Sequence, residues 1–134
     1  MLLKDKVALI TGGGNGIGRA IVLRFLRDGA KVVTVDLDQA GMEETLKEAG
    51  QAGGQIRGEM ANITKREDVQ RVVDSIVKEH GRLDILINNA GITRDALTAR
   101  VKDGEVKLMT DEQWDAVLEV NLKGSWLCAQ IAAV

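Results

Sequence analysis

A short apolar run followed by a cluster of glycines decides how this chain folds: Val7-Ala8-Leu9-Ile10-Thr11-Gly12-Gly13-Gly14-Asn15-Gly16-Ile17-Gly18. The first four positions are all apolar, which is typical of a parallel strand buried on both faces. Ile17, Ile21 and Phe25 follow at four-residue spacing, so a helix is predicted directly after the glycines. Strand, glycine loop and helix together predict the first βα unit of a parallel sheet.

The alternation of short apolar runs with helical patterns continues along the chain. Further strands are predicted at residues 31–36, 55–60 and 83–87, with amphipathic helices between them. Thr64 with Glu67 predicts the start of the third helix, Gly81 predicts its end, and Thr110 with Gln113 predicts the start of the fourth. Residues 93–109 show no clean period and are predicted as a surface loop, with at most one helical turn. We therefore expect a doubly wound α/β parallel sheet. If its topology is that of the Rossmann fold, the strand order is 3-2-1-4 and a ligand crevice lies between strands 1 and 4.

Composition narrows the function classes. The chain has 134 residues, with 18 Lys and Arg against 20 Asp and Glu, which suits one domain of nearly balanced charge. Because there is no basic run, neither a nucleic-acid nor a membrane partner is expected. A single cysteine, Cys128, and a single histidine, His80, argue against an internal disulfide and a metal site, and we expect a core cysteine and a surface histidine. The amino terminus has no apolar signal segment, so a cytoplasmic location is predicted.

Five glycines lie within residues 12–18, between the predicted strand and helix. Glycines let the backbone approach a pyrophosphate closely, and a helix amino terminus offers free N–H groups and a positive dipole end. A P-loop is disfavoured because Arg19 and Ala20 stand where that motif needs Lys and then Ser or Thr. The remaining pattern, Thr-Gly-x-x-x-Gly-x-Gly, predicts a dinucleotide site in preference to an ordinary glycine-rich turn.

Asp36 ends the second predicted strand, where a carboxylate can accept hydrogen bonds from both ribose hydroxyls of an adenosine. The same carboxylate would repel a 2′-phosphate, which needs a cation, and neither Asn15 nor Leu37 supplies one. NAD is therefore favoured over NADP. Arg19 is the nearest cation, and it keeps NADP possible.

Four stretches of the chain match the motifs of one family in the expected order. They are Thr11 to Gly18, Asn88-Asn89-Ala90-Gly91, Gly91-Ile92-Thr93-Arg94-Asp95 and Val120-Asn121-Leu122-Lys123-Gly124. On these residues the sequence resembles the short-chain dehydrogenase/reductases, and within them the 3-oxoacyl-[acyl-carrier-protein] reductase group. The resemblance implies a homo-oligomeric NAD(P)-dependent oxidoreductase that transfers a hydride between the nicotinamide and a small-molecule or acyl-carrier-bound substrate. The reaction would be reduction of a 3-oxoacyl thioester, as in fatty acid biosynthesis, or oxidation of a secondary alcohol.

The resemblance also implies roles for individual residues. Asn121 would belong to a catalytic proton relay, in which it distorts its helix and helps to hold a water. The glycines would shape the pyrophosphate site, Asp36 would take the ribose, Asn62 and Ile63 would flank adenine, and residues 89–91 would back the nicotinamide ribose. The complete set of implied cofactor-binding residues is Gly12, Gly14, Asn15, Gly16, Ile17, Gly18, Asp36, Leu37, Asn62, Ile63, Asn89, Ala90 and Gly91.

The spacing of the helix also singles out Asn121, which lies seven residues after Trp114 and three after Leu118, on the apolar stripe. A buried amide without a partner costs about 1–3 kcal/mol, so we expect a partner to hold it. A kink or cap near Gly124 is the alternative to a catalytic role.

Two stretches depart from the family pattern. Asn62-Ile63-Thr64 stands where Asp-Val-Thr is usual, although the Asn62 carbonyl can still accept a hydrogen bond from adenine. Residues 101–109 are longer than in many members. They either cover a substrate entrance or form an ordinary surface insertion.

The chain has no tyrosine, whereas the catalytic serine and the Tyr-x-x-x-Lys pair of the family lie beyond the asparagine segment. We therefore expect residues 1–134 to be an incomplete NAD(P)-binding domain of an enzyme, without turnover of its own. The alternative is a non-catalytic dinucleotide-binding module or an inactive fragment. Strand 4 would be an apolar edge, which predicts either further chain beside it or association with a second copy.

Overall fold

Four parallel strands form the centre of the computed structural model, which describes residues 1–92 and 97–134. They are β1 (Val7–Thr11), β2 (Lys31–Asp36), β3 (Ile56–Met60) and β4 (Ile85–Ile87). The order is β3-β2-β1-β4, as predicted, and β1 pairs in parallel with both β2 and β4. All five residues of β1 are buried, which is why the sequence shows an uninterrupted apolar run there.

Helices cover both faces of this sheet. α1 (Gly16–Arg27) and α2 (Gln39–Ala52) lie on one face, and α3 (Arg66–His80) and α5 (Ser125–Ala132) lie on the other. Leu9 belongs to the core under α3 and α5, whereas its neighbour Ile10 belongs to the core under α1 and α2. Alternate residues of each strand therefore supply opposite cores, which makes the fold a doubly wound sheet.

The last helical stretch has three parts that follow one another directly. α4 (Asp111–Leu118) leads into a π-helical turn (Glu119–Gly124), and α5 continues from it. The predicted start of α4 is confirmed. Thr110 Oγ1 accepts from the Gln113 N–H at 3.1 Å, and Gln113 Oε1 accepts from the Thr110 N–H at 2.9 Å.

The predicted start of α3 is wrong, although its end is confirmed. The helix begins at Arg66, and its N-cap residue Lys65 makes no side-chain cap bond. Thr64 does not cap the helix because its hydroxyl donates to the Asn62 side chain at 2.7 Å. Gly81 ends the helix with a φ of 73°, a left-handed conformation that suits glycine.

The loop predicted at residues 93–109 is largely a β-hairpin, and that prediction is wrong for the described residues. β5 (Ala99–Lys102) pairs antiparallel with β6 (Glu105–Leu108). Asp103 and Gly104 between them have φ values of 53° and 77°, as a two-residue hairpin turn requires. The Asp-Gly pair and the alternation of charged with apolar residues on either side of it were the available signals for a hairpin. Residues 93–96 lie outside the described residues.

The predictions for the single cysteine and the single histidine differ in how they agree with the structure. Cys128 is 1% exposed, and burial raises the pKa of its thiol to about 11, so the prediction of a core cysteine is confirmed. The His80 side chain is only 6% exposed, so the prediction of a surface histidine is wrong. In the described residues, no helix combines the length and apolar character needed to cross a membrane.

Candidate functional site

A crevice of about 380 Å³ opens at the carboxyl ends of the strands. Its lining includes these predicted cofactor-binding residues: Gly12, Asn15, Ile17, Gly18, Asp36, Leu37, Asn62, Ile63, Asn89, Ala90 and Gly91. Gly14, Gly16 and Asn121 are not part of the lining. The prediction missed Val35, Ala61, Ile92 and Val120, although each is the chain neighbour of a predicted residue. They supply apolar wall, and the polar motif residues beside them were the available signal.

Close backbone packing explains two of the glycines. A Cβ on Gly18 would lie 1.9 Å from the Gly12 carbonyl oxygen, so no side chain fits where α1 meets the loop. Gly12 has a φ of 73°, and a Cβ there would lie 2.9 Å from Ala90 Cα. The chain after β1 and the chain after β4 therefore touch through backbone, which forms the floor of the crevice.

Thr11 and Asn89 fasten these two segments together. Thr11 Oγ1 accepts from the N–H groups of Asn89 and Ala90 at 3.1 and 3.0 Å, and it donates to the Ile87 carbonyl at 3.3 Å. Asn89 Nδ2 donates to the Gly12 carbonyl at 3.1 Å. The adjacent Asn88 instead reaches α5, where its Nδ2 donates to the Ser125 carbonyl at 3.3 Å. The paired asparagines thus satisfy two different backbone segments.

Asp36 lies at the opposite end of the crevice from these asparagines along the sheet. Its Oδ2 accepts from the Gly14 N–H at 2.9 Å, and its Oδ1 accepts from the Asp38 N–H at 3.0 Å. Each carboxylate oxygen has a further lone pair, so both can accept one more hydrogen bond from a ligand. Asp36 is the sole titratable side chain among the described residues of the lining.

Arg19 does not line the crevice. Its Nη2 donates to the Gly14 carbonyl at 2.7 Å and its Nε donates to Thr45 Oγ1 at 3.0 Å. Glu48 lies at 3.4 Å from its Nη1. The guanidinium named as the nearest cation therefore contacts the back of the glycine loop and α2.

Asn62 lines the crevice, but its side-chain oxygen is occupied. Asn62 Oδ1 accepts from both the N–H and the hydroxyl of Thr64, at 3.0 and 2.7 Å. The expected side-chain acceptor for adenine is therefore not free in this structure. The Asn62 N–H donates to Asp68 at 2.8 Å and, with the Arg71 guanidinium, holds the pKa of Asp68 below its ordinary value.

Asn121 lies in the π-helical turn and is held by a partner, as its spacing predicted. Its Oδ1 accepts from the Ile92 N–H at 2.8 Å, and its Nδ2 donates to the Ile92 carbonyl at 2.9 Å. The expectation that the residue is buried is wrong, because the stripe that carries it is itself exposed, with Trp114 at 58% and Leu118 at 38%. Asn121 contacts the crevice through Ile92, which is part of the lining.

Comparison with known proteins places this geometry in context. The family model described as short chain dehydrogenase matches residues 6–134. The chain is 42% identical over 131 residues to 3-oxoacyl-[acyl-carrier-protein] reductase FabG of Thermotoga maritima. This match covers 98% of the present chain and 50% of that relative. It is 37% identical to D-threitol dehydrogenase of Mycolicibacterium smegmatis, over 96% of this chain and 46% of the relative. The chain thus spans about half the length of these curated relatives.

Solved structures agree with the sequence comparison. A short-chain dehydrogenase/reductase from Burkholderia xenovorans matches with a TM-score of 0.86 and 35% identity, over 98% of this chain and 49% of that structure. A metagenomic short-chain oxidoreductase solved in complex with NADP matches with a TM-score of 0.85 and 29% identity, over 99% of this chain and 57% of that structure. The family model, the motifs around the crevice and the strand order agree, and the chain belongs to the short-chain dehydrogenase family.

Proposed function

We propose that this chain is the dinucleotide-binding part of an NAD(P)-dependent oxidoreductase, and that its crevice binds NAD. The observation that carries the proposal is the backbone contact of Gly18 with Gly12 at one end of a crevice that has Asp36 at the other. A side chain at Gly18 would clash with the Gly12 carbonyl oxygen, so this part of the crevice is built from main chain. A pyrophosphate can approach main-chain N–H groups closely only where side chains do not intervene.

The amino terminus of α1 supports placing the pyrophosphate there. Asn15, the N-cap residue, makes no side-chain cap bond, and the first turn of α1 contains no acidic residue. The first N–H groups of a helix have no intrahelical partner, and the helix dipole makes this end positive. Gly16, Ile17 and Gly18 form that first turn, so their N–H groups are the donors we assign to the pyrophosphate.

Charge at the ribose end supports NAD as the cofactor. Asp36 would accept hydrogen bonds from ribose hydroxyls and would repel a 2′-phosphate. Arg19 is bound to Gly14 and Thr45, so it is not free to neutralise such a phosphate. Leu37, which follows Asp36 and is 65% exposed, carries no charge.

When bound, the reduced cofactor would supply a hydride to a carbonyl carbon, and the oxidised cofactor would accept one from an alcohol carbon. On this chain, residues 89–91 would form the wall beside the nicotinamide ribose, and Asn121 would hold that wall in place through Ile92. Asp36 lies at the adenosine end, so the described lining offers no acid or base near the nicotinamide. From the family resemblance we assign Asn121 to the proton relay, and we place the acid or base itself outside these 134 residues. The substrate we favour is a 3-oxoacyl thioester, as the name of the Thermotoga maritima relative suggests, or else a secondary alcohol.

The same lack of a proton donor supports a second candidate, a dinucleotide-binding module without catalysis. Such a module would bind NAD in the same crevice and leave no substrate converted. Turnover by the protein that contains this chain distinguishes the two candidates.

Calorimetric titration of the 134-residue chain with NAD and with NADP tests the proposal, alongside an assay with an acetoacetyl thioester. We expect NAD to bind about tenfold more tightly than NADP, because one unpaired charge contact is worth about 1 kcal/mol or more. Asp36→Asn should reduce the difference in affinity between NAD and NADP, because asparagine carries no charge to repel the 2′-phosphate. Asp38→Asn is the matched control, because Asp38 caps α2 and asparagine caps equally well. If neither NAD nor NADP binds, the proposal is wrong.

A further inference from the structure

The glycine loop needs an external support, because Gly12, Gly13 and Gly14 follow one another without a side chain. Peptide planes between glycines rotate with little steric resistance. A carbonyl that turned into the crevice would place a partial negative charge where an anion is expected to bind. A loop of this composition binds a phosphate well only when other residues hold its carbonyls away.

Two side chains hold these carbonyls from the side opposite the crevice. Thr45 Oγ1, in α2, donates to the Gly13 carbonyl at 2.8 Å. Arg19 Nη2, in α1, donates to the Gly14 carbonyl at 2.7 Å. Neither Gly13 nor Gly14 lines the crevice, which agrees with their carbonyls being held behind it.

Arg19 and Thr45 also act on each other. Arg19 Nε donates to Thr45 Oγ1 at 3.0 Å, and Thr45 is completely buried. A hydroxyl has one proton, so accepting from Arg19 leaves that proton for the carbonyl of Gly13, the shorter of its two acceptor contacts. Arg19 Nη2 also lies 3.2 Å from the Gly41 carbonyl, so the guanidinium links the loop to the start of α2.

We propose that Arg19 and Thr45 are positioning residues for the pyrophosphate site. They fix the Gly13 and Gly14 carbonyls behind the loop, so the loop does not have to be ordered when the dinucleotide binds. The inference rests on the proposed function, because it assigns the ligand that the loop serves. Asp36 completes the support by accepting from the Gly14 N–H, so both sides of that residue are held.

Binding of two probes to the 134-residue chain tests this role. ADP-ribose contains the pyrophosphate, whereas adenosine contains only the part that would contact Asp36, Asn62 and Ile63. Thr45→Val removes the hydroxyl at constant shape, and Thr45→Ser keeps it. We expect Thr45→Val to weaken ADP-ribose binding about tenfold, to leave adenosine binding within about twofold, and Thr45→Ser to restore ADP-ribose binding.

Arg19 provides a second, independent variant in case Thr45→Val fails to fold. Arg19→Lys keeps the charge but cannot bridge Gly14 and Thr45, so we expect about a fivefold loss for ADP-ribose. Arg24→Lys is the matched control, because Arg24 lies in the same helix and, among the described residues, pairs with Asp28 alone, at the surface. Its binding of both probes should be unchanged.

Three results would overturn the inference. Unchanged ADP-ribose binding by both Thr45→Val and Arg19→Lys would show that the loop holds itself. Equal losses for ADP-ribose and adenosine would show a general structural role. Absence of ADP-ribose binding by the unchanged chain would overturn the proposed function itself, and the inference with it.

Discussion

Two regions of this chain, β1 with the glycine loop and residues 97–126, differ sharply in how completely they are packed. In β1, which leads into the glycine loop, every residue is at most 1% exposed, and Gly13, Gly14 and Gly18 are buried. From residue 97 to 126 seven large apolar side chains are exposed, at 66% for Leu97, 71% for Val101, 66% for Val106, 62% for Leu108, 58% for Trp114, 66% for Leu122 and 52% for Trp126.

β1 is covered on both faces by helices of this chain, whereas the exposed apolar side chains of residues 97–126 have no comparable cover among the described residues. Apolar exposure on this scale marks a contact surface. β4 shows the same feature in the sheet, since its three residues are only partly buried and it pairs with β1 on one side. We propose that further chain, of the kind present in the longer relatives, or a second copy covers this region.

The largest effect is expected from a side chain added in the region of β1 and the glycine loop. Gly18→Ala places a methyl group 1.9 Å from the Gly12 carbonyl oxygen, so the loop must move. We expect a loss of about 3 kcal/mol in the free energy of unfolding and no measurable NAD binding. Gly50→Ala in α2 is the control, because nothing lies within 4 Å of its added methyl group. It should stabilise the chain by up to about 1 kcal/mol, as measured by urea unfolding.

The next effect concerns the contact surface. We expect the 134-residue chain to self-associate, and the pair Leu118→Glu and Leu122→Glu to make it monomeric in light scattering. Stability of the monomer should change by less than about 0.5 kcal/mol, because both side chains are exposed. If Ile85→Lys alone has this effect, the β4 edge is the contact instead. A monomeric unchanged chain with cooperative unfolding would contradict the expectation.

A smaller effect is expected where the two regions meet. Asn121→Ala removes both hydrogen bonds to Ile92. We therefore expect the free energy of unfolding to fall by about 1–2 kcal/mol and the Ile92 amide to exchange faster with solvent. Asn88→Ala is the comparison, because Asn88 makes one longer hydrogen bond, to the Ser125 carbonyl. An equal fall in the free energy of unfolding for the two variants would show that the two bonds to Ile92 stabilise the fold no more than the single Asn88 bond.

The smallest effect is a pH dependence at the start of the sheet. Hydrogen bonds from the Arg82 guanidinium, and then from the Val7 N–H, hold the pKa of Asp84 below its ordinary value. A carboxyl whose folded pKa is lowered stabilises the fold above its unfolded pKa of about 3.9, and this contribution is lost as pH falls through the folded pKa. Asp84→Asn should therefore flatten the acid side of a urea-midpoint profile below about pH 4. An unchanged acid side would contradict the assignment.

Much of the fold could be predicted because buried parallel strands have a simple signature. The bounds of β2 follow from a short, mostly apolar run between two helical patterns. The order of the four strands was predicted from the Rossmann topology, and the structure has that order. The hairpin was missed because its strands have only four residues each, so the two-residue alternation is short beside the many charges of the surrounding stretch. The start of α3 was missed because Thr64 has a competing acceptor in Asn62, and local hydrogen bonds of this kind compete with helix caps.

By itself, the sequence determined the glycine spacing, the position of Asp36 after β2 and the paired asparagines after β4, because each depends on short-range chain geometry. Only the tertiary structure decided which distant groups these residues meet. Arg19 binds Thr45 in α2 and does not reach the crevice. Asn121 is exposed, and its side chain binds the Ile92 backbone. The physical reason is that a polar side chain bonds to whichever donor or acceptor the packing of helices on the sheet brings within about 3 Å. That choice is not encoded in local spacing.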